Sequence, residues 1–383
     1  MLTWCEIDLA AVRHNVKELK KLIGPKVKLA AVVKSNTYGH GIFEFSKACA
    51  NAGADFLCVD NIAEALAISE IKLPKLIFGG VESADFPEVI KKDFRILIYS
   101  LNHATKLSRQ AEQMGKSAKV FLKIDTGMHR LGVRPEEAVK LAKELNSLEN
   151  IELEGVFSHF ASSGEEEFRD YTLEQLSIFK ECLAKIEKAG IKIPIACLCN
   201  TAGALLYPEA RFQMVRAGLA LTGIMPSGYV AEKLRGKMSL KPALSFYTKI
   251  IELKDIKKGE RVGYGLTFQT EKKMKIAVLP VGYKDGYGRS LSNVGEVLLR
   301  GKRCKVIGRI CMRMTMIDVS KIKDINPHTK SFGVGVKLGE KVTLIGKDDR
   351  DKIEAVELAE KMGTIPYEVL SRISESVPRI YKK

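Results

Sequence analysis

VKLAAVVKSNTYGHG, residues 27–41, joins an unbroken apolar run to a lysine and then to a polar, glycine-punctuated segment. A strand with one wet face alternates apolar and polar residues. A strand covered by helices on one side and filled on the other reads as a continuous apolar run. Seven further stretches share this texture: FLCVD (56–60), KLIFGG (75–80), RILIYS (95–100), AKVFLKID (118–125), IELEGVFSH (151–159), IACLCN (195–200) and FQMVRAG (212–218). The segments between them read as helices. In 172–189, Thr172 and Gln175 make a capping box, Leu176, Phe179, Leu183 and Ile186 form an apolar stripe, and Gly190 stops the helix. Eight successive β-then-α units predict an α/β fold, an N-terminal (β/α)8 TIM barrel over residues 1–237, rather than an open sheet.

Beyond residue 237 the texture changes. PALSFYTKIIEL, MKIAVLP, EVLLR, KVIG, MTMIDVS and KVTLIG are short strands punctuated by glycine and lysine turns, with one helix near 353–362. Residues 238–383 are therefore expected to form a C-terminal β-rich domain, and the first ten residues or so, with TWCEIDL, to pair with it.

The 383 residues suffice for two or three domains. No apolar run reaches the ~18 residues of a membrane span. The start, MLTWCEIDLAAVRHN, lacks a basic segment followed by an apolar one, so a cytoplasmic protein is expected. A net charge of +16 could signal nucleic acid or an acidic substrate. The lysines are instead scattered among acids, as in KKLIGPK, KDIKKGE and GKDDRDK, with no basic stripe bearing aromatics; a solvated surface is expected, with neither nucleic acid nor membrane as partner. Eight cysteines are spread along the chain without paired zinc spacing, so reduced core thiols and no metal are expected.

In a (β/α)8 barrel the reactive groups sit at the C-terminal strand ends. That rule selects Lys34, Arg130, His159, Asn200–Thr201 and Arg216–Ala217–Gly218. A lysine ending an apolar strand is costly to bury without a task or a partner. A Schiff base is one such task, because a desolvated amine is nucleophilic; snorkelling to solvent is the structural alternative. Singly, each of these residues is compatible with a structural role. Their joint placement at one rim marks the site.

AVVKSNTYGHG, KIDTGMHRLG, EGVFSHFASS, NTAGALLYP, MVRAGLALTGI, GERVGYG, VGYKDGYGR, VIGRICM and IPYEV are similar, in order and spacing, to the signature segments of alanine racemases. The resemblance runs from the N-terminus to VPRIY. It implies pyridoxal 5'-phosphate as cofactor, racemisation of L- and D-alanine to supply peptidoglycan, and a homodimer with shared sites. Lys34 would carry the cofactor and act as one base. Tyr264, from the other subunit, would be the second, since a proton leaves one face of Cα and returns to the other. The resemblance assigns the phosphate to Tyr38, Thr201, Tyr367 and the backbone of Gly218 and Leu219. His159 would lie beside the ring, and Arg130 would bond the phenolic oxygen near the substrate carboxylate. Met312 of the partner chain would donate its backbone N–H to that carboxylate. Tyr283, Arg289 and Arg309 would line the substrate corridor, with Cys311 only shaping the pocket. Lys123 matches a lysine carbamylated in some members, an anion that would hold Arg130.

Arg216 would face the pyridine nitrogen. A guanidinium ~4 Å from a protonated nitrogen costs on the order of 4 kcal/mol at an effective dielectric of about 20, roughly three pKa units, so the nitrogen stays neutral. Departures from the family pattern are Arg313 in place of an aspartate, His129 in place of asparagine or a small residue, Thr222 in place of a tyrosine, and Gly164 where an acid is common. They open the alternative of a racemase for serine or larger side chains. A pyridoxal decarboxylase would place an acid where Arg216 stands. A cofactor carrier would lack the second domain, and a nucleic-acid binder would bind no cofactor.

Overall fold

The computed structural model describes residues 1–322 and 335–383. They divide into two compact units: Leu9–Thr37 with Ile42–Lys241, and Met1–Asp8 with Tyr38–Gly41 and Pro242–Lys383. Among the described residues no helix is long and apolar enough to cross a membrane.

After β1 (Thr3–Asp8), which belongs to the second unit, come the eight strands of the first: β2 (Lys28–Val32), β3 (Phe56–Val59), β4 (Lys75–Ile77), β5 (Arg95–Ile98), β6 (Ala118–Lys123), β7 (Ile151–Phe157), β8 (Ile195–Cys197) and β9 (Met214–Ala217). They coincide with the eight apolar runs. From β3 to β8 each pairs in parallel with its predecessor, and β9 pairs with β2, Leu29 opposite Val215. The gap between β8 and β9 is bridged by two bonds. Arg216 N–H donates to the Cys199 carbonyl at 3.1 Å, and Ala196 N–H to the Gln213 carboxamide oxygen at 2.9 Å. The ring is thus a nearly closed barrel. Leu29, Ala30, Leu57, Val120, Phe121, Val156 and Val215 are fully buried. Burying such a side chain contributes about 1.5–3 kcal/mol, which is why these strands need no polar face.

The helix expected over 172–189 spans Arg169–Lys188, and the capping box is not made. A 3₁₀ turn, Glu166–Phe168, leads into it, so Thr172 already lies in the first turn and donates to the Phe168 carbonyl at 3.0 Å. Gln175 is fully buried and bonds elsewhere. Gly190 does end the helix, in the left-handed region at φ +83° with its N–H on the Glu187 carbonyl.

In the second unit, β1 pairs antiparallel with β10 (Leu244–Lys249) and parallel with Arg379–Lys382. Lys341–Asp348, Glu296–Leu299 and Lys302–Lys305 continue the sheet beyond β10. A three-stranded sheet combines Glu252–Ile256, Met274–Leu279 and Thr315–Asp318. Two helices appear where the sequence suggests one: Ala355–Met362 and Pro366–Ser371. The second starts on Pro366 and is too short to display a periodicity.

Gly155, on β7 beside a register shift against β6, admits no side chain. A Cβ there would lie 2.5 Å from the Ile195 carbonyl oxygen and 2.5 Å from the Phe121 ring. Gly155→Ala should destabilise the barrel by about 1–3 kcal/mol, read as a lowered Tm; an unchanged Tm would mean that β7 and β8 are not held this closely.

Candidate active site

Beyond β2 the chain makes one left-handed turn. Ser35, Asn36, Thr37 and Tyr38 have φ of 53°, 51°, 53° and 50°, a conformation costing roughly 1–2 kcal/mol per L-residue. Local bonds hold it. Thr37 N–H donates to the Val33 carbonyl at 3.1 Å. Ile42 N–H donates to Asn36 Oδ1 at 2.8 Å. The Glu64 carboxylate accepts from the N–H of Ser35 at 2.6 Å and of Asp60 at 2.9 Å, tying this turn to the end of β3. Lys34 opens the turn, part-exposed, its Nζ 3.2 Å from Asp60 Oδ1.

Arg216, on β9, is 2% exposed. Its terminal nitrogens donate to Cys197 Sγ at 2.8 Å, to the carbonyls of Ser158 and Leu198 at 3.1 Å each, and to His159 Nδ1 at 2.9 Å. Its guanidinium carbon lies 3.9 Å from the Phe157 ring centroid and 5.9 Å from that of Phe78. All four acceptors are neutral. Because a guanidinium only donates, His159 Nδ1 must be the acceptor and carries no proton. Burial, then the neighbouring Arg216, hold His159 well below the usual imidazole range. Lys123, on β6, points at the Phe157 ring with its Nζ 4.8 Å from the centroid. Burial first, and then Arg216, pull its ammonium down to about 7.

Thr201 follows β8 and opens the helix Thr201–Leu206, which Asn200 caps by accepting from Gly203 N–H at 2.9 Å. The Thr201 hydroxyl accepts from Gly218 N–H at 3.0 Å, joining the ends of β8 and β9. Leu219 starts the 3₁₀ turn that follows. Arg130 and His129 are exposed in the loop after β6, with His129 at φ +53° and 3.7 Å from Asp125. Lys34, His159, Thr201, Arg216 and Gly218 therefore all stand at or beside the C-terminal ends of barrel strands. Thr222 is buried and bonds the Leu219 carbonyl at 2.7 Å, and Gly164 accepts from the Ser227 hydroxyl at 2.6 Å.

The remaining candidates belong to the second unit. The Tyr38 and Tyr367 rings meet edge to face at 5.7 Å, and burial pushes the Tyr367 phenol up to about 12. Tyr264 stands 69% exposed on a turn between Gly263 and Gly265, both at positive φ. Gly265 is packed on Arg309: a Cβ on the glycine would lie 3.2 Å from the guanidinium carbon. Met312 is 58% exposed. Its carbonyl and that of Cys311 accept from Lys284 and Tyr283 N–H at 3.0 and 3.2 Å. Arg289 donates to the Ile310 carbonyl at 2.7 Å and lies 5.9 Å from the Tyr283 ring. Arg313 is exposed beside them. Sequence reading missed Asp60, Phe157, Ser158 and Cys197, which position the others. Cys197 and Ser158 were within reach of the strand-end rule, but neither residue type advertises a contact to arginine.

Two family models match the chain: alanine racemase, N-terminal domain, over residues 7–226, and alanine racemase, C-terminal domain, over residues 243–381. The chain is 41% identical to the alanine racemase of Methanococcus maripaludis, over 99% of this chain and 98% of that protein. It superposes on the alanine racemase of Clostridium difficile 630 with a TM-score of 0.91 at 36% identity, covering 100% of this chain and 96% of that one. It also superposes on the alanine racemase of Bartonella henselae with covalently bound pyridoxal phosphate, with a TM-score of 0.86 at 25% identity and full coverage of both chains.

Lys123 titrates at about 7 when folded against an ordinary 10.5. Between those two values the native state binds fewer protons than the unfolded state, so stability is lost as pH falls through the window and the cost is complete below it. Lys123→Met should therefore raise Tm by several degrees near pH ~6 and by progressively less toward pH ~10, measured by scanning calorimetry. An increment independent of pH would show that the buried amine is not its source.

Proposed function

The chain belongs to the alanine racemase family, and we propose that it interconverts L- and D-alanine with pyridoxal 5'-phosphate held on the barrel unit. The observation that carries this is Arg216: a buried cation at the strand-end rim, fixed by neutral acceptors at the ends of β7 and β8, with the Lys34 amine at the same rim. The donor set fits the cofactor. Lys34 offers a part-exposed amine, the Thr201 hydroxyl accepts from the Gly218 amide and keeps its own proton to donate, and the unprotonated Nδ1 leaves His159 a neutral ring.

Bound there, the cofactor supplies a conjugated ring that takes up the electron pair left when the Cα proton departs. Lys34 would hold it and would move a proton on one face. Tyr264 of a second copy moves one on the other. Two bases on opposite faces let the substrate invert without turning over. Arg216 would face the ring nitrogen and, as a donor only, would keep it unprotonated, which would limit charge delocalisation and so restrain side reactions. Tyr38, Tyr367, Thr201, Gly218 and Leu219 bind the phosphate, and Arg130 the phenolic oxygen. The Met312 amide of the second copy holds the substrate carboxylate, which Tyr283, Arg289 and Arg309 guide inward; cations suit an anionic group. Residues 1–237, with Tyr367, bind the cofactor, and the rest of 238–383 completes the partner's site in a cytoplasmic homodimer supplying D-alanine for peptidoglycan. Exposed Tyr264, Leu266, Met312 and Met314 on the second unit support such an assembly. The broader-specificity alternative finds no support in the relatives named above.

The test is chiral chromatography of the cofactor-loaded enzyme with L-alanine, L-serine and L-lysine in separate reactions. Turnover of alanine alone is expected; comparable turnover of serine or lysine would move the chain to the broad-specificity reading. Arg216→Glu should lower alanine turnover on the order of 10²-fold and produce a new long-wavelength absorbance with substrate. An unchanged rate and spectrum would remove Arg216 from the mechanism. Arg313→Asp should raise the KM for alanine with little change in kcat, and unchanged constants would make Arg313 a bystander.

A further inference from the structure

One fully buried polar side chain faces the candidate site without belonging to it. Gln175 lies on the helix Arg169–Lys188, one turn before the core residue Phe179. A carboxamide at such a position is destabilising unless its bonds are made. They are made, and all to the rim. Its Oε1 accepts from Ala161 N–H at 2.9 Å. Its Nε2 donates to the His159 carbonyl at 3.1 Å and to the Thr126 hydroxyl at 3.4 Å. Thr126 and Ser158 share a hydroxyl bond of 2.9 Å.

One turn earlier, the Tyr171 hydroxyl donates to the Gly127 carbonyl at 2.7 Å. Gly127 sits at φ +131°, and a Cβ there would be 2.4 Å from that hydroxyl, so the approach requires glycine. The Asp125 carboxylate then accepts from Gly127 and His129 N–H at 3.0 Å each, setting the loop that carries Arg130.

We propose that Gln175 is a positioning residue, a clamp that seats the Arg130 loop and the His159 segment on one helix so that both keep or lose their geometry together. The coupling reaches the chemistry because two of the four acceptors of Arg216, the Ser158 carbonyl and His159 Nδ1, lie in the clamped segment. It extends past it: the Ser163 hydroxyl donates to Asn200 Oδ1 at 2.8 Å, the same oxygen that caps the helix of Thr201. This role rests on the racemase reading; the clamp itself rests on hydrogen bonds alone.

Gln175→Met keeps the length of the side chain and removes both polar ends. Gln175→Glu keeps the acceptor for Ala161 and loses the donor. Tyr171→Phe frees Gly127 only. Each is prepared as cofactor-loaded enzyme and followed by amide hydrogen exchange, cofactor absorbance and steady-state kinetics with L-alanine. In Gln175→Met, exchange over 124–130 and 157–163 should accelerate together by about tenfold or more. The cofactor band should shift and kcat should fall by about tenfold. Gln175→Glu should lie between Met and the parent, and Tyr171→Phe should accelerate 124–130 alone. If only one of the two segments responds in Gln175→Met, or if Tm falls while exchange, band and kcat of the folded enzyme are unchanged, the clamp is overturned. Should Gln175→Met fail to fold, the Glu and Tyr171→Phe variants carry the same comparison. A parent enzyme that racemises no amino acid, with exchange responding as expected, would sink the racemase reading and leave the clamp standing.

Discussion

A guanidinium buried in a barrel without a carboxylate among its bonded partners is the constraint around which this rim is arranged. Arg216 donates to two carbonyls, an imidazole nitrogen and a thiol, and lies against two phenylalanine rings. Each partner is neutral, so the positive charge is solvated by dipoles and ring faces rather than cancelled. Burying a charge is costly unless such bonds are complete, and completing them fixes the ends of β7 and β8 relative to β9. Closing the ring and holding the cation are thus one event: Arg216 N–H also makes the backbone bond that bridges β8 and β9.

A run of backbone strain follows Lys34, the amine proposed to carry the cofactor. Four consecutive non-glycine residues after Lys34 sit in the left-handed region, which persists only where surrounding bonds over-determine it. Here they do. Glu64 accepts from both Ser35 and Asp60, and Asn36 caps Ile42. Within the second unit Gly39 is closely packed: a Cβ on it would stand 2.3 Å from the Leu370 carbonyl oxygen, and Arg379 Nε donates to the Gly39 carbonyl at 3.1 Å. The lysine therefore projects from a well-bonded support, which suits its proposed role in retaining a cofactor.

The barrel was legible in the sequence because its strands are buried on both faces, so eight continuous apolar runs mark eight strands without ambiguity. The rim was legible by rule, since strand ends select Lys34, His159, Thr201 and Arg216. What holds the rim was not. Backbone carbonyls at Ser158 and Leu198 leave no trace in composition, and Cys197 reads as a core thiol. Local propensity argues against a left-handed Ser-Asn-Thr-Tyr run. Thr172 and Gln175 satisfy the capping-box spacing, yet the helix begins three residues earlier and the carboxamide turns to the rim, so a tertiary bond displaces a local one. The roles of Tyr264 and Met312 came from resemblance, because an exposed tyrosine on a glycine turn has no chemical signature of its own.

The low-polarity interior sorts the nearby bases by how readily each sheds its charge. Burial holds His159 well below its usual range and brings Lys123 to about 7, and in both cases Arg216 adds repulsion in the same direction. Arginine keeps its charge where imidazole and amine do not. Near neutral pH His159 is therefore neutral and Lys123 only partly charged, leaving the guanidinium as the fixed charge in this part of the interior. An anion placed at this rim meets a positive potential that does not depend on the titration of histidine. A ring nitrogen set against the guanidinium meets one that resists protonation, and a carboxylate in place of Arg216 would reverse both effects at once.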